Sequence, residues 1–306
     1  MKIARHFPRH AARLTISVLA VLAAGLATPA LAQTTSTVIN PNHGTIVVKK
    51  FYDANANGRR DTGEPWLSGS TSGWPVTLTG PGGVNSTKRT TATFSSLNGG
   101  SGYWVLEATP LETNWVQTAP TVGGVPVNPK AVTVIPCKTV TVYFGNYCKK
   151  GSGGRTPGFW GNQNGEAKMN DDGGMAPELG ILSTLNLVDA GGSAFDPVDY
   201  VSFDIWLANR NAVNMAYMLS AHLAAMTLNV EGNYVNGDSF FLPCNCTINE
   251  LLEDANLALG ADGYTPTGDP NRATQEQLKN WLDSLNNGAT IVSATPCRRT
   301  FYTPTY

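Results

Sequence analysis

The twelve residues from Asp53 to Glu64 carry oxygen donors in the order that a calcium loop requires. In an EF-hand loop, side-chain ligands come from positions 1, 3, 5, 9 and 12, position 6 is glycine and position 7 offers its backbone carbonyl. The residues at positions 1, 3, 5, 6, 7, 9 and 12 of this segment are Asp53, Asn55, Asn57, Gly58, Arg59, Asp61 and Glu64. The spacing therefore predicts a calcium site in which Arg59 contributes its carbonyl oxygen.

The alternative interpretation is an ordinary hairpin loop, because turns favour Asn, Asp and Gly. Turn geometry does not require carboxylates at both Asp61 and Glu64, so we favour calcium. Two neutral amides among the side-chain donors predict weak binding, with a Kd of about 10⁻⁴ to 10⁻³ M. One loop supplies every ligand, which leaves no opening for catalysis and indicates a structural role.

The N-terminal residues 1–32 have the order of a secretory signal peptide. Four basic residues precede a short apolar run at 14–27, and Ala30-Leu31-Ala32 provides small residues for cleavage. We therefore expect a mature chain that begins near Gln33 and is secreted or lies at the cell surface, with 33–43 as a leader.

Charge and motifs exclude several function classes. Without the four basic residues of the signal peptide, 17 of the 21 Lys and Arg remain against 22 Asp and Glu, a net charge of −5. That balance argues against nucleic-acid binding. The apolar run at 212–230 is interrupted by polar residues and predicts a buried helix, so we expect no transmembrane segment. The G-x-S-x-G, P-loop and H-E-x-x-H motifs are absent from the sequence, and we predict that the chain is not an enzyme.

All five cysteines lie in the exported part, where disulfides are the default. The odd number leaves one thiol over, which allows a disulfide-linked dimer. Among the pairings, which stay open, we favour Cys148 with Cys297 because they bracket the second half of the chain.

The two halves of the exported chain differ in period. Alternating apolar residues separated by Gly- and Pro-rich turns predict strands at 45–52, 76–79, 103–108, 131–135 and 139–144. A glycine-rich stretch at 149–158 predicts a linker. Beyond it, Met215, Leu219, His222, Leu223 and Met226 share one helical face. Two further helices are predicted from capping boxes that begin at Thr247 and Thr274.

Several further segments surround the loop D-x-N-x-N-G-x-x-D-x-x-E in the first half: Phe-Tyr-Asp at the end of a strand, then VTLTGPGG and GYWVLE, and FGN in the last strand. In these segments the chain resembles the B-type repeats of the serine-aspartate surface adhesins and the wider prealbumin-like, collagen-adhesin B-type sandwiches. The resemblance covers residues 44–147. It implies a multidomain chain with an N-terminal all-β, immunoglobulin-like or prealbumin-like sandwich, followed by a small, mainly α C-terminal domain.

The expected domains are a signal peptide 1–32, a leader 33–43, a calcium-binding sandwich 44–148, a linker 149–158, a mainly helical domain 159–298 and a tail 299–306. The resemblance also implies a non-enzymatic extracellular or surface protein that serves adhesion, matrix or structural interaction. Its partner would be an extracellular protein or a polysaccharide, and its cofactor calcium.

Some relatives of this sandwich carry a Lys–Asn isopeptide bond that an acidic residue assists. The resemblance makes Lys50 or Lys49 on the first strand, Asn146 on the last strand and Glu107 between them the candidates here. In an apolar core, burial would favour a neutral lysine and a protonated glutamate. The alternative, which the sequence favours, is that both lysines are solvated strand residues and Glu107 is a surface acid.

The second half opens with TPGFWGN, which resembles the TPGYWKN motif of a helical module in secreted bacterial proteins. Phe159 and Trp160 are predicted to fill the helical core, and a carbohydrate-stacking role for Trp160 is the alternative. His222 is predicted to be a core residue. The stacking role of Trp160 leaves a second function class open: a glycan-binding protein or weak glycoside hydrolase with its site in the helical half.

Overall fold

The computed structural model describes residues 41–171 and 173–302; the predicted signal peptide 1–32, nearly all of the leader 33–43 and the end of the tail lie outside the described residues. The strands in these ranges are β1 His43–Tyr52, β2 Pro75–Gly80, β3 Val84–Arg89, β4 Ala92–Asn98, β5 Gly100–Glu107, β6 Trp115–Ala119, β7 Thr121–Val122, β8 Val125–Pro126, β9 Lys130–Val134, β10 Thr139–Gly151, β11 Phe240–Phe241, β12 Cys246–Thr247 and β13 Thr290–Val292. The helices are α1 Pro157–Trp160, α2 Gln163–Met169, α3 Ala176–Leu182, α4 Tyr200–Ala208, α5 Met215–Glu231, α6 Ile248–Ala261 and α7 Arg272–Asn286. No helix in the described ranges is long and apolar enough to cross a membrane.

Two large sheets and a short two-stranded sheet of β7 and β8 build the first half. β1 pairs in parallel with β10, so that Tyr52 lies opposite Asn146, and antiparallel with β4. The second sheet has the order β3-β2-β5-β9. Apolar side chains at alternate positions of both sheets form one core, which includes Ile46, Val48, Val76, Leu78, Phe94, Tyr103, Val105, Val142 and Phe144. All five strands predicted from the sequence are present. β3 and β4 were not predicted, because Ser, Thr and Asn dominate their sequences.

The expected linker 149–158 is wrong for its first part. β10 runs on past the sandwich to Gly151, and its last three residues pair with β13. Ser152 is buried and its hydroxyl donates to the carbonyl of Leu285 at 2.6 Å. A Cβ on Gly154 would lie 2.3 Å from that same carbonyl oxygen. The glycines therefore allow close backbone contact with α7 and do not form a flexible connection.

The second half packs helices around α5. Thirteen of its residues are buried, including His222, as expected for a helix that is apolar on nearly every side. The capping box at Thr247 is confirmed, since Thr247 N–H donates to Glu250 at 2.7 Å. The cap at Thr274 is wrong: α7 already begins at Arg272. Arg272, in the first turn, donates to the carbonyls of Ala212 and Thr265, and the buried Gln275 donates to the carbonyls of Ala258 and Asp262 at the end of α6.

Two disulfides are present in the described residues. The favoured pair Cys148–Cys297 is confirmed, and Cys244 pairs with Cys246. Cys137 is a free, exposed thiol. The residues after Cys297 are not a free tail as far as they are described: Thr300 N–H donates to the Glu112 carboxylate at 2.7 Å, and the Phe301 ring packs edge-on against Trp74.

The expected separation into an all-β domain and a helical domain is too simple. The sheet that contains β1 and β10 has seven strands, and three of them, β11, β12 and β13, come from the second half of the chain. The fold is therefore a mixture of sheets and helices in which β10 belongs to both halves. Sequence periodicity missed this because β11, β12 and β13 have at most three residues each, too few for a repeat to show.

Candidate functional site

Three polar residues occupy positions of the sandwich that are otherwise apolar. The inward-facing residues of β1 alternate Ile46, Val48 and then Lys50. In β10 the same alternation gives Val142 and Phe144, followed by Asn146, and in β5 it gives Tyr103 and Val105, followed by Glu107. Because side chains point to opposite faces with period two, each of the three polar groups must enter the space between the sheets.

The structure brings these three side chains into direct contact. Lys50 Nζ donates to the carboxylate of Glu107 and lies 2.5 Å from Oδ1 of Asn146. The relative exposure of Lys50, Glu107 and Asn146 is 1%, 4% and 3%. The expectation that Lys50 and Glu107 are solvated surface residues is therefore wrong. Their places in the alternation of β1 and β5 are the physical reason.

Lys49 does not compete with Lys50 for this site. It is the outward-facing neighbour on β1, half-buried, and its Nζ lies 5.4 Å from the centre of the Trp66 ring. Of the two candidate lysines, Lys50 is therefore the one whose side chain lies beside Glu107 and Asn146.

Burial changes the protonation of the pair. It lowers the pKa of Lys50 to about 8, against the opposing effect of Glu107, and a smaller contribution in the same direction comes from the charge of Arg299. Burial also raises the pKa of Glu107, although Lys50 and Asn146 oppose that shift. Both shifts disfavour the ion pair, because isolated charges in an apolar core are costly. The shifts therefore make the neutral amine and the protonated acid more accessible near neutral pH than they are in water.

A neutral amine beside a carboxamide and an acid is the arrangement that amide exchange requires. The Nζ lone pair can attack Cγ of Asn146 while the proton of Glu107 polarises Oδ1. Glu107 then takes a proton from Nζ and passes one to the departing amide nitrogen. One amide bond forms, one breaks, ammonia leaves, and Glu107 ends as it began.

Two contributors to the site were not found from the sequence. Trp74 is fully buried, its ring centre lies 4.3 Å from Lys50 Nζ, and its indole N–H donates to the carbonyl of Ala108 at 2.7 Å. Arg299, from the C-terminal segment, also contacts Trp74, and its guanidinium lies 5.7 Å from the centre of that ring. Trp74 precedes a strand and Arg299 is distant in sequence, so no local pattern indicates either contact.

The predicted calcium residues lie together in the loop after β1. Asp53 and Glu64 are buried at its two ends. The two carboxylate oxygens of Asp53 accept the N–H groups of Asn57 and Gly58, at 3.0 and 2.7 Å. Those of Glu64 accept the N–H groups of Ala54 and Asp61, at 2.7 and 2.9 Å. The loop is therefore held in a closed form by its own backbone.

The donor set fits calcium in chemical type and in order. Asn55 and Asn57 both contact Oδ2 of Asp61, at 2.8 and 2.6 Å, through their amide nitrogens. These contacts lower the pKa of Asp61, whereas burial raises the pKa of Glu64. Within the ranges that the structure describes, no three His, Cys, Asp or Glu side chains form a group that would hold a metal. A cation would need the amide oxygens of Asn55 and Asn57 turned toward it, and calcium binding stays a prediction.

The carbohydrate-stacking alternative for Trp160 is wrong. Trp160 is 1% exposed, and its indole N–H donates to Asn229 Oδ1 at 3.3 Å. Its ring packs edge-on against Phe159 and Tyr234, so no face is left for a sugar. The expectation that it fills the helical core is confirmed.

His222 is a core residue, as predicted. It lies on the buried side of α5, and burial lowers its pKa to about 4, although Asp283 acts in the opposite direction. Its Nδ1 lies 3.8 Å from the Asp283 carboxylate. A neutral imidazole at this place is part of the packing between α5 and α7.

Comparison with known proteins leaves the family open. No family model and no curated protein matches the chain. Among solved structures, the chain is similar to GBS52, the minor pilin of Streptococcus agalactiae, with 16% sequence identity and a TM-score of 0.23 over 34% of this chain and 44% of that one. The chain thus spans less than half of the length of that pilin, and a likeness at this level supports no inference about function.

Proposed function

We propose that the chain is a non-enzymatic extracellular structural or adhesive protein whose sandwich is closed by an isopeptide bond between Lys50 and Asn146. The observation that carries the proposal is the buried contact of Lys50, Asn146 and Glu107. A lysine, a carboxamide and an acid that are all hidden from water are costly to bury unless they react or pair. Covalent closure turns the amine of Lys50 into an uncharged amide, so that Lys50 can no longer carry a charge in the core.

The two cross-links together would place most of the chain outside the path of tension. Asn146 and Cys148 are two residues apart on β10, and Cys148 is bonded to Cys297. Tension between the two ends of the chain would pass from β1 to Asn146, on to Cys148, and directly to Cys297. Residues 51–145 and 149–296 would carry none of it. This arrangement suits an adhesive or structural protein that bears mechanical tension between its two ends.

Without the isopeptide bond, the same tension would act on non-covalent contacts. β1 and β10 are parallel neighbours, joined by backbone hydrogen bonds from Thr45 to Tyr52. Each such bond contributes only about 1 kcal/mol net in water. A covalent link between these two strands therefore matters more than one between any other pair in the sandwich.

Calcium is the second part of the proposal. The loop from Asp53 to Glu64 continues directly from β1, and Asp53 N–H donates to the carbonyl of Asn146 at 3.0 Å. A cation held by Asp53, Asn55, Asn57, the carbonyl of Arg59, Asp61 and Glu64 would supply positive charge to a loop rich in carboxylates. It would thereby stabilise the end of β1 beside the cross-link.

Single-molecule stretching of the protein from its two termini tests the function. For the oxidised wild type we expect no release of the 96-residue separation between Lys50 and Asn146. The Glu107→Gln variant should release this segment, an extension of about 330 Å. Reduction of Cys148–Cys297 should add the 149-residue separation of that loop, about 500 Å.

Lys49→Arg is the matched control, because it changes the neighbouring lysine and leaves the buried three residues intact. It should behave as the wild type. Release of the sandwich segment from the oxidised wild type, at the same length as in Glu107→Gln, would contradict the proposed function.

A further inference from the structure

Two adjoining cavities on the sandwich surface share Arg89. One, of 680 Å³, lies along the end of β3 and includes Lys88. The other, of 440 Å³, lies between the β1–β2 connection and the C-terminal segment, and includes Arg298 and Arg299. We call the two together the basic groove and define it by its four cations, Lys88, Arg89, Arg298 and Arg299.

Among the described residues, the four cations of the basic groove form no salt bridge. Of the described residues that line either cavity, none is Asp or Glu. Arg89 donates to the carbonyl of Gly73 at 2.6 Å, and Arg299 to the carbonyl of Ser72 at 2.5 Å. Glu112 lies beside the groove, and its carboxylate accepts the N–H and the hydroxyl of Thr300. The N–H bond from Thr300 lowers the pKa of Glu112, and the charge of Arg298 adds a smaller effect in the same direction.

Arg299 is the group that an anion would satisfy best. Its Nε is buried and has no hydrogen-bond partner among the described residues. Burial lowers the pKa of its guanidinium, and the charge of Arg89 lowers it further. Like charges near each other repel, and an oxyanion between Arg89 and Arg299 would offset that repulsion.

The rest of the lining indicates a sugar polymer and not a single ion. Exposed hydroxyl side chains flank the cations along both cavities: Ser70, Thr71, Ser72, Thr87 and Thr91. Hydroxyls donate and accept, as the hydroxyls of a sugar do. Two connected cavities give room for several sugar units with an acidic group near Arg89.

We propose that the basic groove binds an acidic polysaccharide, with Arg89 and Arg299 on one carboxylate or sulfate and Lys88 and Arg298 on the acidic groups to either side. The inference goes beyond the mechanical role, since it names a ligand site that the cross-links do not require. A nucleic acid offers anions too, but the hydroxyl side chains beside the cations match the hydroxyls of a sugar polymer better than the closely spaced phosphates of a nucleic acid.

The test is calorimetric titration of the mature protein with polygalacturonate in the presence of a calcium chelator, which removes bridging through the metal loop. Neutral dextran and a deoxythymidine oligonucleotide are the comparison ligands. We expect binding of polygalacturonate, none of dextran, and weaker binding of the oligonucleotide. Arg89→Gln/Arg299→Gln should weaken the polygalacturonate complex by about tenfold or more.

Two further double variants keep the result decisive. Lys138→Gln/Lys150→Gln removes the same charge from exposed positions outside the groove, and its affinity should stay as in the wild type. Lys88→Gln/Arg298→Gln alters exposed side chains of the groove, so it should fold normally and still bind more weakly. Absence of polygalacturonate binding, equal loss in the control variant, or tighter binding of the oligonucleotide would each overturn the proposal.

Discussion

Asn146 and Cys148 lie two residues apart on β10, and each joins that strand to a different part of the chain. Asn146 contacts the buried Lys50 of β1, and Cys148 is bonded to Cys297. The end of β10 is therefore the point where the sandwich and the C-terminal segment meet.

The Glu107→Gln variant should lose the proposed cross-link, because a glutamine cannot exchange protons between Nζ and the leaving nitrogen. The free energy of unfolding should then fall by about 4 to 5 kcal/mol, the value expected for opening a loop of this length. The urea dependence of that free energy should also increase, since the unlinked chain exposes more surface on unfolding.

The second effect separates the cross-link from ordinary loss of a polar contact. A variant that only loses a hydrogen bond would be less stable with an unchanged urea dependence. That outcome in Glu107→Gln would contradict the account, and Lys49→Arg should match the wild type in both quantities.

The pH dependence of stability should differ between the wild type and Asn146→Ala. In the variant Lys50 stays a free amine, with a pKa lowered by burial to about 8 from its ordinary value of 10.5. Between these values the unfolded chain binds more protons than the folded chain, so stability should rise with pH there, by roughly 3 kcal/mol.

In the wild type the amide nitrogen of a cross-linked Lys50 does not titrate, and the rise above pH 8 should be absent. Chemical denaturation at pH 8, 9 and 10 measures it for both proteins. Equal rises in the two proteins would show that Lys50 is unreacted.

Calcium should raise the melting temperature of the mature protein relative to chelator. At about 100 times its Kd, a bound ion would add about 2.7 kcal/mol to the free energy of unfolding. Asp61→Asn removes one charge from the loop without touching the N–H contacts that Asp53 and Glu64 accept, so it should reduce the shift. Glu253→Gln, on the exposed side of α6, is the charge-matched control and should keep it. An equal melting temperature with calcium and with chelator would contradict calcium binding by this loop.

His222 should make the helical half sensitive to acid. Burial lowers its pKa to about 4 from an ordinary value of 6.5. Between these values the unfolded chain takes up a proton that the folded chain does not, so stability falls as the pH drops, by roughly 3 kcal/mol. The difference in unfolding free energy between pH 7 and pH 4.5 should shrink in His222→Gln. An unchanged difference would mean that His222 is charged or solvated in the fold.

Local sequence patterns predicted the strands of the sandwich because alternating apolar residues have a direct structural meaning. The same alternation places Lys50, Glu107 and Asn146 inside, whereas the usual exposure of lysine and glutamate favours the solvated interpretation. The register of Lys50 with Ile46 and Val48, and of Glu107 with Tyr103 and Val105, identifies these positions as inward-facing.

Local patterns do not predict contacts between segments that are distant in the sequence. β13 joins the end of β10, and Arg299 approaches Trp74, across most of the sequence. The glycine-rich stretch after Lys149 looked like a linker because glycine signals flexibility locally. In the fold, Gly154 serves close packing against Leu285, which only the tertiary structure reveals.

The intact mass of the reduced, denatured mature protein tests the central claim most directly. The account predicts that the wild type and Lys49→Arg are each lighter than their sequences by one molecule of ammonia. Lys50→Arg and Glu107→Gln should have their full sequence masses, and a proteolytic digest of the wild type should yield one branched peptide that contains Lys50 and Asn146. A wild-type protein of full sequence mass would contradict the isopeptide bond and the protection from tension that depends on it.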